Sequence, residues 1–289
     1  MKIQILGTAA GDGIPTMFCG CRVCEWARSS GGRNIRLRSC ALINDKVFID
    51  FSRDINTQCI RFGLRPWTAK GIFFTHSHID HLASEELCLR DSGYCDLPEE
   101  SRLPIYCNQV CEEEIRRAAR YDLQREPEFL TFHRLAFFEP VQVEELTITP
   151  LPANHVPDED AMVYLIEEGS HRFFYCLDTT ILPERTLQFL QGKRLEGVCM
   201  DCTYGGNRHS GSTHMGFGAN QELKRRLISQ GSGDDRTSWI LTHFSHHSEM
   251  THEELVEMAS SDGFEVAYDV LLWESAESCT VFSGERGCL

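Results

Sequence analysis

The densest group of metal-ligating side chains in this 289-residue sequence is HSHIDH, which places His76, His78, Asp80 and His81 within six residues. The segment follows the apolar run GIFFT, which predicts a buried β-strand ending next to these ligands. Alternate side chains of an extended chain project to the same side, so His76 and His78 can share one ion, while Asp80 and His81 can turn towards a neighbouring one. Imidazole suits zinc, iron or manganese, and carboxylate suits the harder of these metals. The spacing therefore predicts a metal site rather than an exposed polar loop.

Three more residues of ligand type follow predicted strands further along the chain. His155 comes after TITPLPA, Asp178 after FFYCL, and His243 after WILT. Taken singly, a histidine or aspartate at a strand end is more often a cap or a surface residue. Binding groups, however, are usually found where a rigid scaffold reaches the surface. Together with HSHIDH, the three residues complete two coordination shells, which favours a dinuclear site.

Three short motifs, THSHIDHL, LDTT and LTH, together with His155, resemble those of the metallo-β-lactamase superfamily of dinuclear hydrolases. The resemblance covers nearly the whole chain, from about residue 2 to residue 273, and implies an α/β fold, a four-layer αββα sandwich. It also implies two divalent metal ions, Mn²⁺ or Zn²⁺, at the catalytic site. By this resemblance, His76, His78 and His155 hold one ion, Asp80, His81 and His243 hold the second, and Asp178 bridges both.

Cysteines form a second group of ligands. The chain has 14 cysteines, and its first residues, MKIQILGTAAGDG, predict a strand and turn rather than an export signal. Metal binding and buried thiols are therefore favoured over disulfides. Cys19, Cys21 and Cys24 form a C-x-C-x2-C motif on a short loop, and His246 lies three residues after His243. Three thiolates and one imidazole make a closed tetrahedral site, so we predict one structural Zn²⁺, with three buried or surface thiols as the alternative.

Longer stretches narrow the resemblance to one branch of the superfamily. FCGCRVC, LPANH, LDTTILPERTLQFL, MDCTY and LTHFSHH are similar to the PhnP-like phosphoribosyl 1,2-cyclic phosphate phosphodiesterases. One bridging carboxylate and a second-site His243, with no obvious cysteine ligand, also indicate a phosphodiesterase rather than a true β-lactamase. The resemblance implies hydrolysis of a small cyclic phosphodiester by a metal-bridging hydroxide. The chain departs from this branch in the length of residues 84–135 and in the acidic segment PDED at 157–160.

The leaving alkoxide of a phosphodiester benefits from a proton donor, and histidine is the side chain best suited to this at neutral pH. The resemblance implies such a histidine between the DCT motif and the final metal-ligating histidine, which is the position of His214. His209, five residues earlier, is its rival, and a solvated loop position is the alternative for both. Asp80 is predicted to orient the nucleophile in addition to binding metal.

Three other functions are compatible with the motifs. A tRNA 3′-processing endonuclease shares the HxHxDH core but normally needs a protruding basic arm. Here 28 Lys and Arg residues against 43 Asp and Glu residues give a net charge of −15, which argues against a large nucleic-acid footprint. A metallo-hydrolase acting on a lactone or ester is the second alternative. A non-catalytic carrier of the same fold is the third, but such carriers have degenerate metal ligands, whereas seven ligands are present here.

These ligands must be positioned by short strands and amphipathic helices, which we expect in one domain over residues 1–274, with a helical insertion around 84–135 and a tail at 275–289. No apolar run approaches the ~20 residues of a membrane span. We expect a cytoplasmic protein that acts on a small molecule, with a homodimer as the default state.

Strands are predicted at residues 2–6, 37–43, 46–50, 71–75, 146–151, 162–167, 172–177, 197–201, 239–242 and 266–273. Helices are predicted at residues 54–62, 84–89, 111–123, 183–190, 220–229 and 251–260, the last with a capping box.

Overall fold

The computed structural model describes residues 1–98, 100–206 and 213–276, which contain fourteen strands and seven α-helices. The strands are β1 (Lys2–Gly7), β2 (Cys40–Ile43), β3 (Val47–Ile49), β4 (Gly71–Phe73), β5 (Leu103–Cys107), β6 (Leu130–Arg134), β7 (Val141–Val143), β8 (Leu146–Pro152), β9 (Met162–Glu168), β10 (His171–Cys176), β11 (Gly197–Asp201), β12 (Ser238–Thr242), β13 (Glu265–Val266) and β14 (Leu271–Glu274). The helices are α1 (Arg22–Ser30), α2 (Ile55–Phe62), α3 (Ser84–Cys88), α4 (Gln109–Asp122), α5 (Glu184–Leu190), α6 (Phe217–Ser229) and α7 (His252–Ser260).

The strands form two mixed sheets of seven strands each. The first sheet has the order β14-β1-β2-β3-β4-β5-β6, and the second has the order β13-β12-β11-β10-β9-β8-β7. Strands β3 to β6 are parallel to one another, as are strands β10 to β13. Parallel strands bring their carboxyl ends to the same edge of a sheet, where ligands usually bind. The residues that follow these strands are therefore gathered at one edge.

The two sheets pack face to face over an apolar core. Ile5 of β1 and Phe73 of β4 contribute to this core from the first sheet, and Tyr164 of β9 and Phe173 of β10 contribute from the second. Helices α2, α3 and α4 cover the outer face of the first sheet, while α1, α5, α6 and α7 cover that of the second. Because both faces of each sheet are covered, strands such as β2 and β11 are buried at every position. The four-layer αββα sandwich predicted from the sequence is confirmed.

Most predicted elements are present, with ends shifted by one to three residues. The turn between β2 and β3 is formed by Asn44 and Asp45, whose φ angles of 49° and 56° are those of a tight hairpin. Thr251 and Glu254 form the predicted capping box at the start of α7. Helix α1 is not predicted from the sequence. Its apolar face is short, with only Val23, Cys24 and Ala27 buried, and the helix overlaps the end of the cysteine motif.

The prediction of a helical insertion at residues 84–135 is wrong in part. This segment contains helices α3 and α4, but also strands β5 and β6, which continue the first sheet beside β4. The apolar positions of α4 pack on the outer face of that sheet. The charged face of α4 dominates the composition of the segment and conceals the two short strands. Residues 84–135 are therefore an integral part of the sandwich.

The prediction of one strand at residues 266–273 is also wrong. The segment is divided into β13 in the second sheet and β14 in the first, because the chain crosses between the sheets. On one side of the crossing Ala267 N donates to Leu241 O, and on the other Val270 N donates to Ile5 O. A continuous apolar run in the sequence does not reveal such a crossing.

The predicted tail at 275–289 begins beside the first strand, where Ser275 N donates to Met1 O at 2.9 Å. Residues 277–289 lie outside the described residues. Within the described ranges, none of the helices has the length and apolar character needed to cross a membrane.

Candidate metal centre

All seven residues predicted as ligands of the catalytic metals follow strands, and they meet between the two sheets at one edge of the sandwich. His76, His78, Asp80 and His81 follow β4, His155 follows β8, Asp178 follows β10, and His243 follows β12. Six of the seven are buried, and His78 is exposed. His78 therefore marks the side from which solvent and substrate reach the site.

The first set of ligands, the three-histidine site, consists of His76, His78 and His155. The ligand atoms of these residues all lie within 4.8 Å of one another, and His155 Nε2 is 3.2 Å from His78 Nδ1. One carboxylate oxygen of Asp178, Oδ1, lies 3.5 Å from His155 Nε2 and 4.0 Å from His76 Nε2. Three nitrogens and one oxygen thus surround a common point, which is a donor set suited to zinc or manganese.

The second set of ligands, the Asp80 site, consists of Asp80, His81, His243 and Asp178. The other carboxylate oxygen of Asp178, Oδ2, lies 2.9 Å from His81 Nε2 and 3.1 Å from His243 Nε2. Asp80 Oδ2 lies 3.3 Å and 3.4 Å from the same two nitrogens. The two oxygens of Asp178 therefore face different ligand sets, which is the geometry of a bridging carboxylate.

The pattern of hydrogen bonds tests whether these residues suit metal ions. His76 Nε2, His81 Nε2, His243 Nε2 and Asp178 Oδ2 are buried and have no hydrogen-bond partner among the described residues. An unpartnered buried polar atom costs about 1–3 kcal/mol, so four of them converging on one place require a compensating ligand. Divalent cations satisfy all four atoms at once. The residues fit two metal ions.

The ionisation of the carboxylates also suits metal binding. Burial raises the pKa of Asp178, but the charges of His243 and His81 outweigh burial and hold this pKa well below its usual range. Burial likewise raises the pKa of Asp80, and His81 and His243 again lower it well below normal. Burial lowers the pKa of His76 well below its ordinary value. Anionic carboxylates and neutral imidazoles are the forms that bind metal ions, so His81 and His243, whose pKa values the Asp178 carboxylate raises against the effect of burial, would release their protons on binding.

Further residues fix the orientation of the histidine rings. His81 Nδ1 donates to Asp50 Oδ2 at 2.7 Å, and Asp50 is fully buried. Asp50 in turn accepts hydrogen bonds from the backbone and hydroxyl of Thr75, at 2.8 Å and 2.9 Å. Such partners fix a histidine so that its other nitrogen faces the metal. Asp50 was not predicted as a site residue, although a carboxylate directly after the apolar strand KVFI indicates a candidate position.

The backbone at three of these residues is strained. Asp50, Asp178 and His243 have φ angles of 60°, 48° and 60°, in the left-handed region that residues other than glycine rarely adopt. Each lies one or two residues after its strand, where the turn directs the side chain into the space between the sheets. Strain of this kind is typical of functional sites.

The predicted proton donor, His214, lies beside the bridging carboxylate. His214 Nδ1 donates to Asp201 Oδ2 at 2.7 Å and is 3.8 Å from Asp178 Oδ1. Burial lowers the pKa of His214, but the Asp201 carboxylate more than offsets this and raises the pKa to about 9. Thr203 links this pair to the metal ligands, because its hydroxyl donates to Asp201 Oδ1 and lies 2.8 Å from His243 Nδ1. The imidazole is therefore held in its protonated form.

Asp201 was not singled out by the sequence analysis, although it ends β11 as the aspartate of the MDCTY stretch. His209, the rival to His214, lies outside the described residues.

The predicted structural zinc ligands also come together: Cys19 and Cys21 lie on the loop before α1, Cys24 in the first turn of α1, and His246 after β12. The ligand atoms of Cys19, Cys21, Cys24 and His246 all lie within 4.8 Å of one another. His246 Nδ1 is 3.6 Å from Cys19 Sγ and 3.5 Å from Cys21 Sγ. Burial raises the pKa of Cys21, but hydrogen bonds from the Cys24 backbone and His246 outweigh burial and lower the pKa to about 6. The thiolate is the form of cysteine that binds zinc, and a lowered pKa favours it.

His246 has a partner on its other ring nitrogen. His246 Nε2 lies 3.0 Å from Asp12 Oδ2, and Asp12 also accepts a hydrogen bond from Ser245 Oγ at 2.8 Å. A carboxylate behind a metal-ligating histidine is typical of zinc sites. Asp12 was not recognised from the sequence, because a single aspartate in a glycine-rich turn carries no specific pattern.

Comparison with known families agrees with this architecture. Residues 47–268 match the family described as "Beta-lactamase superfamily domain", so more than half of the chain is covered. The chain belongs to the β-lactamase superfamily, as its motifs predict.

Individual relatives are more distant. An octanoyltransferase of Porphyromonas gingivalis is 28% identical over 166 residues, which cover 54% of this chain and 31% of that protein. The chain therefore spans about a third of the length of that relative. Coenzyme PQQ synthesis protein B of Xanthomonas campestris is 23% identical over 222 residues, covering 68% of this chain and 71% of that protein.

Three solved structures share the fold over nearly the whole chain. A diphosphatase from the PhnP family has a TM-score of 0.71 at 23% identity and covers 95% of this chain and 98% of its own. Zn²⁺-bound PqqB from Methylobacterium extorquens has a TM-score of 0.71 at 17% identity, covering 95% and 100%. The short form of human tRNase Z has a TM-score of 0.65 at 14% identity, covering 95% and 99%. At these identities, the likeness establishes the fold alone.

Proposed function

We propose that the protein is a dinuclear metal-dependent phosphodiesterase that hydrolyses a small, cyclic phosphodiester such as a phosphoribosyl cyclic phosphate. The observation that carries this proposal is the arrangement of Asp178, whose two oxygens face two ligand sets, with a protonated His214 on the same side of the carboxylate. Two adjacent cation sites and an imidazolium are the elements needed to cleave a phosphate ester.

In this proposal, the three-histidine site would hold one ion and the Asp80 site would hold the other, with Asp178 contributing to both. Two divalent ions, Mn²⁺ or Zn²⁺, supply Lewis acidity that activates water and neutralises the charge of the phosphate. The protein contributes the position of each ligand, through the buried partners of the histidine rings. The carboxylate of Asp80, beside His81 and His243, would orient the attacking water in addition to binding metal.

His214 provides the proton for the leaving oxygen. Because its Nδ1 is hydrogen-bonded to Asp201, the proton would come from Nε2. A sugar alkoxide leaves poorly without protonation, and a positioned general acid contributes ~10²–10⁴-fold to the rate. After the transfer, the Asp201 carboxylate favours return of a proton to the imidazole. Asp201 therefore acts through His214 and is a positioning residue.

Two properties of the chain support a small phosphodiester over the other substrates. The net charge of −15 disfavours binding along a polyanionic tRNA. A diphosphatase from the PhnP family, whose name indicates phosphate chemistry, is among the similar structures. The relatives named coenzyme PQQ synthesis protein B represent the alternative of a non-catalytic role. The full set of seven ligands favours catalysis over that alternative.

The cysteine cluster completes the proposal as a structural Zn²⁺ site. Its four ligands are three thiols and one imidazole, which leave no open position for a substrate. Its role is to fix the loop before α1, so we expect it to affect stability more than turnover.

A comparison of the turnover of three substrates tests the proposed activity. The protein, loaded with Mn²⁺, is given bis(p-nitrophenyl) phosphate, a ribose cyclic phosphate and p-nitrophenyl acetate under the same conditions. We expect turnover of the two phosphodiesters and little turnover of the acetate. Preference for the acetate would favour an ester- or lactone-directed hydrolase, and no turnover of any substrate would favour the non-catalytic alternative.

A further inference from the structure

The acidic segment at residues 157–160 lies in the loop between β8 and β9, which also carries His155. Pro157, Asp158 and Asp160 are exposed, whereas Glu159 is half-buried. The side chain of Glu159 turns away from solvent towards the chain between His76 and His78. One acidic residue in this segment therefore has surroundings that the other three residues lack.

Glu159 contacts the residue between two metal ligands. Its Oε1 accepts a hydrogen bond from the backbone N–H of Ser77 at 3.2 Å and another from the hydroxyl of Ser77 at 3.0 Å. Ser77 separates His76 from His78, so its position sets the spacing of two ligands of the three-histidine site. Two hydrogen bonds to one residue fix both its backbone and its side chain.

The other oxygen of Glu159 is anchored to the helix layer of the first sheet. Glu159 Oε2 accepts a hydrogen bond from Asn108 Nδ2 at 3.1 Å. Asn108 is 3% exposed, and its Oδ1 caps α4 by accepting from Cys111 N at 2.8 Å. Asn108 Nδ2 also donates to the backbone oxygen of Asp160 at 3.1 Å. The carboxylate thus joins the His155 loop, the metal-ligand loop and the start of α4.

The charge of Glu159 adds to its geometric role. The hydrogen bonds described for its carboxylate come from a backbone amide, a hydroxyl and a side-chain amide, which are all neutral. These donors satisfy the carboxylate without cancelling its charge. A negative charge next to a partly buried site favours a cation there, because screening by water is reduced.

We propose that Glu159 is a positioning residue of the three-histidine site, which fixes the His76–His78 loop against the His155 loop and favours a divalent cation between them. This inference rests on the metal-binding part of the proposed function and is independent of the substrate. Partners behind metal ligands typically change metal affinity ~10–100-fold when they are removed.

The first test compares Glu159→Ala with Asp158→Ala, which removes the same charge from the adjacent, exposed position. Metal-depleted protein is titrated with Co²⁺, and binding is followed by calorimetry and by the visible absorption of the bound ion. We expect one of the two catalytic Co²⁺ equivalents to bind ~10–100-fold more weakly in Glu159→Ala. Asp158→Ala should bind both as the wild type does. Equal Co²⁺ affinities in the two folded variants would overturn the proposal.

Two milder variants separate the charge of Glu159 from its hydrogen bond to the Ser77 hydroxyl. They also provide the test if Glu159→Ala does not fold. Glu159→Gln keeps an oxygen for Ser77 but loses the charge, and Ser77→Ala keeps the charge but loses the hydroxyl donor. We expect each to weaken the same Co²⁺ equivalent by less than Glu159→Ala does, and to lower kcat for the diester with little change in KM. Unchanged Co²⁺ binding in both variants would also overturn the proposal. Failure of the phosphodiesterase proposal is distinguishable, because it would leave Co²⁺ binding normal and diester turnover absent in the wild type.

Discussion

The two groups of candidate metal ligands differ in how the protein holds them. The seven ligands of the catalytic centre follow strands of the two sheets, and six of them are buried. The cysteine cluster lies at the start of α1 and on the loop before it, where Cys19 and Cys21 are only half-buried and the neighbouring Phe18 is 98% exposed. The first group is part of the sandwich, and the second is attached to its surface.

The hydrogen bonds around the two groups show the same contrast. In the catalytic centre, Asp50 and Thr203 contact the rings of His81 and His243, and the backbone oxygen of Thr213 accepts from His155 Nδ1 at 2.9 Å. In the cysteine cluster, His246 has a comparable partner in Asp12, at 3.0 Å, but Cys19 and Cys21 lie half-buried on a loop. The strands therefore preorganise the seven candidate ligands, whereas we expect the cysteine loop to depend on a bound ion for its conformation. Loss of metal should therefore affect activity at one group and stability at the other.

The largest expected effect is that of Asp178→Ala. Asp178 is the carboxylate whose oxygens face both ligand sets, so its removal should empty or scramble the centre. Metal catalysis of phosphate transfer is worth several kcal/mol, so diester turnover should fall by ~10³-fold or more. Metal content and turnover are measured together, with Asp158→Ala as a control for loss of a negative charge. Full activity with two ions still bound would remove the proposed mechanism.

His214→Ala should cause the next largest loss, and the loss should depend on the leaving group. A ribose alkoxide needs protonation, so turnover of a ribose cyclic phosphate should fall ~10²–10⁴-fold. A p-nitrophenolate leaves without a proton, so bis(p-nitrophenyl) phosphate should be affected much less. Metal content should be unchanged, since His214 is not among the seven ligands.

Two results would contradict the assignment of His214 as the proton donor. Equal losses on both substrates would assign His214 to phosphate binding or support of the metal ligands. No loss on either substrate would return it to the solvated-loop alternative.

Asp50→Asn tests whether the catalytic centre is preorganised. The variant loses the charged partner of His81, which should weaken metal binding at the Asp80 site ~10–100-fold. Asp269→Asn is the control, because Asp269 is a half-buried carboxylate that accepts from Thr8 and Leu37 and from none of the seven ligands among its described contacts. We expect the control to lose stability and keep its metal affinity, as measured by calorimetric titration. Similar metal affinity in both variants would contradict preorganisation by Asp50.

Cys21→Ser should have the smallest effect on activity and a clear effect on stability. Loss of one thiolate should release one tightly bound zinc, and binding of a structural metal is folding free energy. Each kcal/mol lost should lower the melting temperature by roughly 2–4 °C. Cys95→Ser, at a half-buried cysteine outside the cluster, should retain the zinc.

The assignment of the cysteine cluster fails if Cys21→Ser and the wild type have the same zinc stoichiometry. The comparison of the two groups fails if the folded Cys21→Ser variant loses its catalytic metals as well.

The candidate metal ligands could be named from the sequence because their chemistry is concentrated in short motifs. Four ligands within six residues, or three cysteines within six, rarely occur for another reason, and strand ends placed the remaining histidines. The four-layer sandwich followed from the resemblance that these motifs carry, and the structure confirms it.

The residues that support the ligands were not predictable in the same way. Asp50 contacts His81 only because β3 and β4 are parallel neighbours, which brings Asp50 beside Thr75. Asp201 and Glu159 likewise depend on contacts between loops that are distant in sequence. A single carboxylate in a loop carries no local signal for such a contact, and one at a strand end indicates a candidate position without identifying its partner.

The most direct test of a dinuclear centre bridged by Asp178 is a metal titration of chelator-treated protein, with metal content and phosphodiester turnover measured on the same samples. We predict that a mild chelator removes two ions and abolishes turnover, while one zinc remains bound and the melting temperature changes little. Activity should return in full at two added equivalents of Mn²⁺ or Zn²⁺ per chain. Full turnover in protein that lacks both ions, or saturation of activity at a single equivalent, would contradict a dinuclear centre bridged by Asp178.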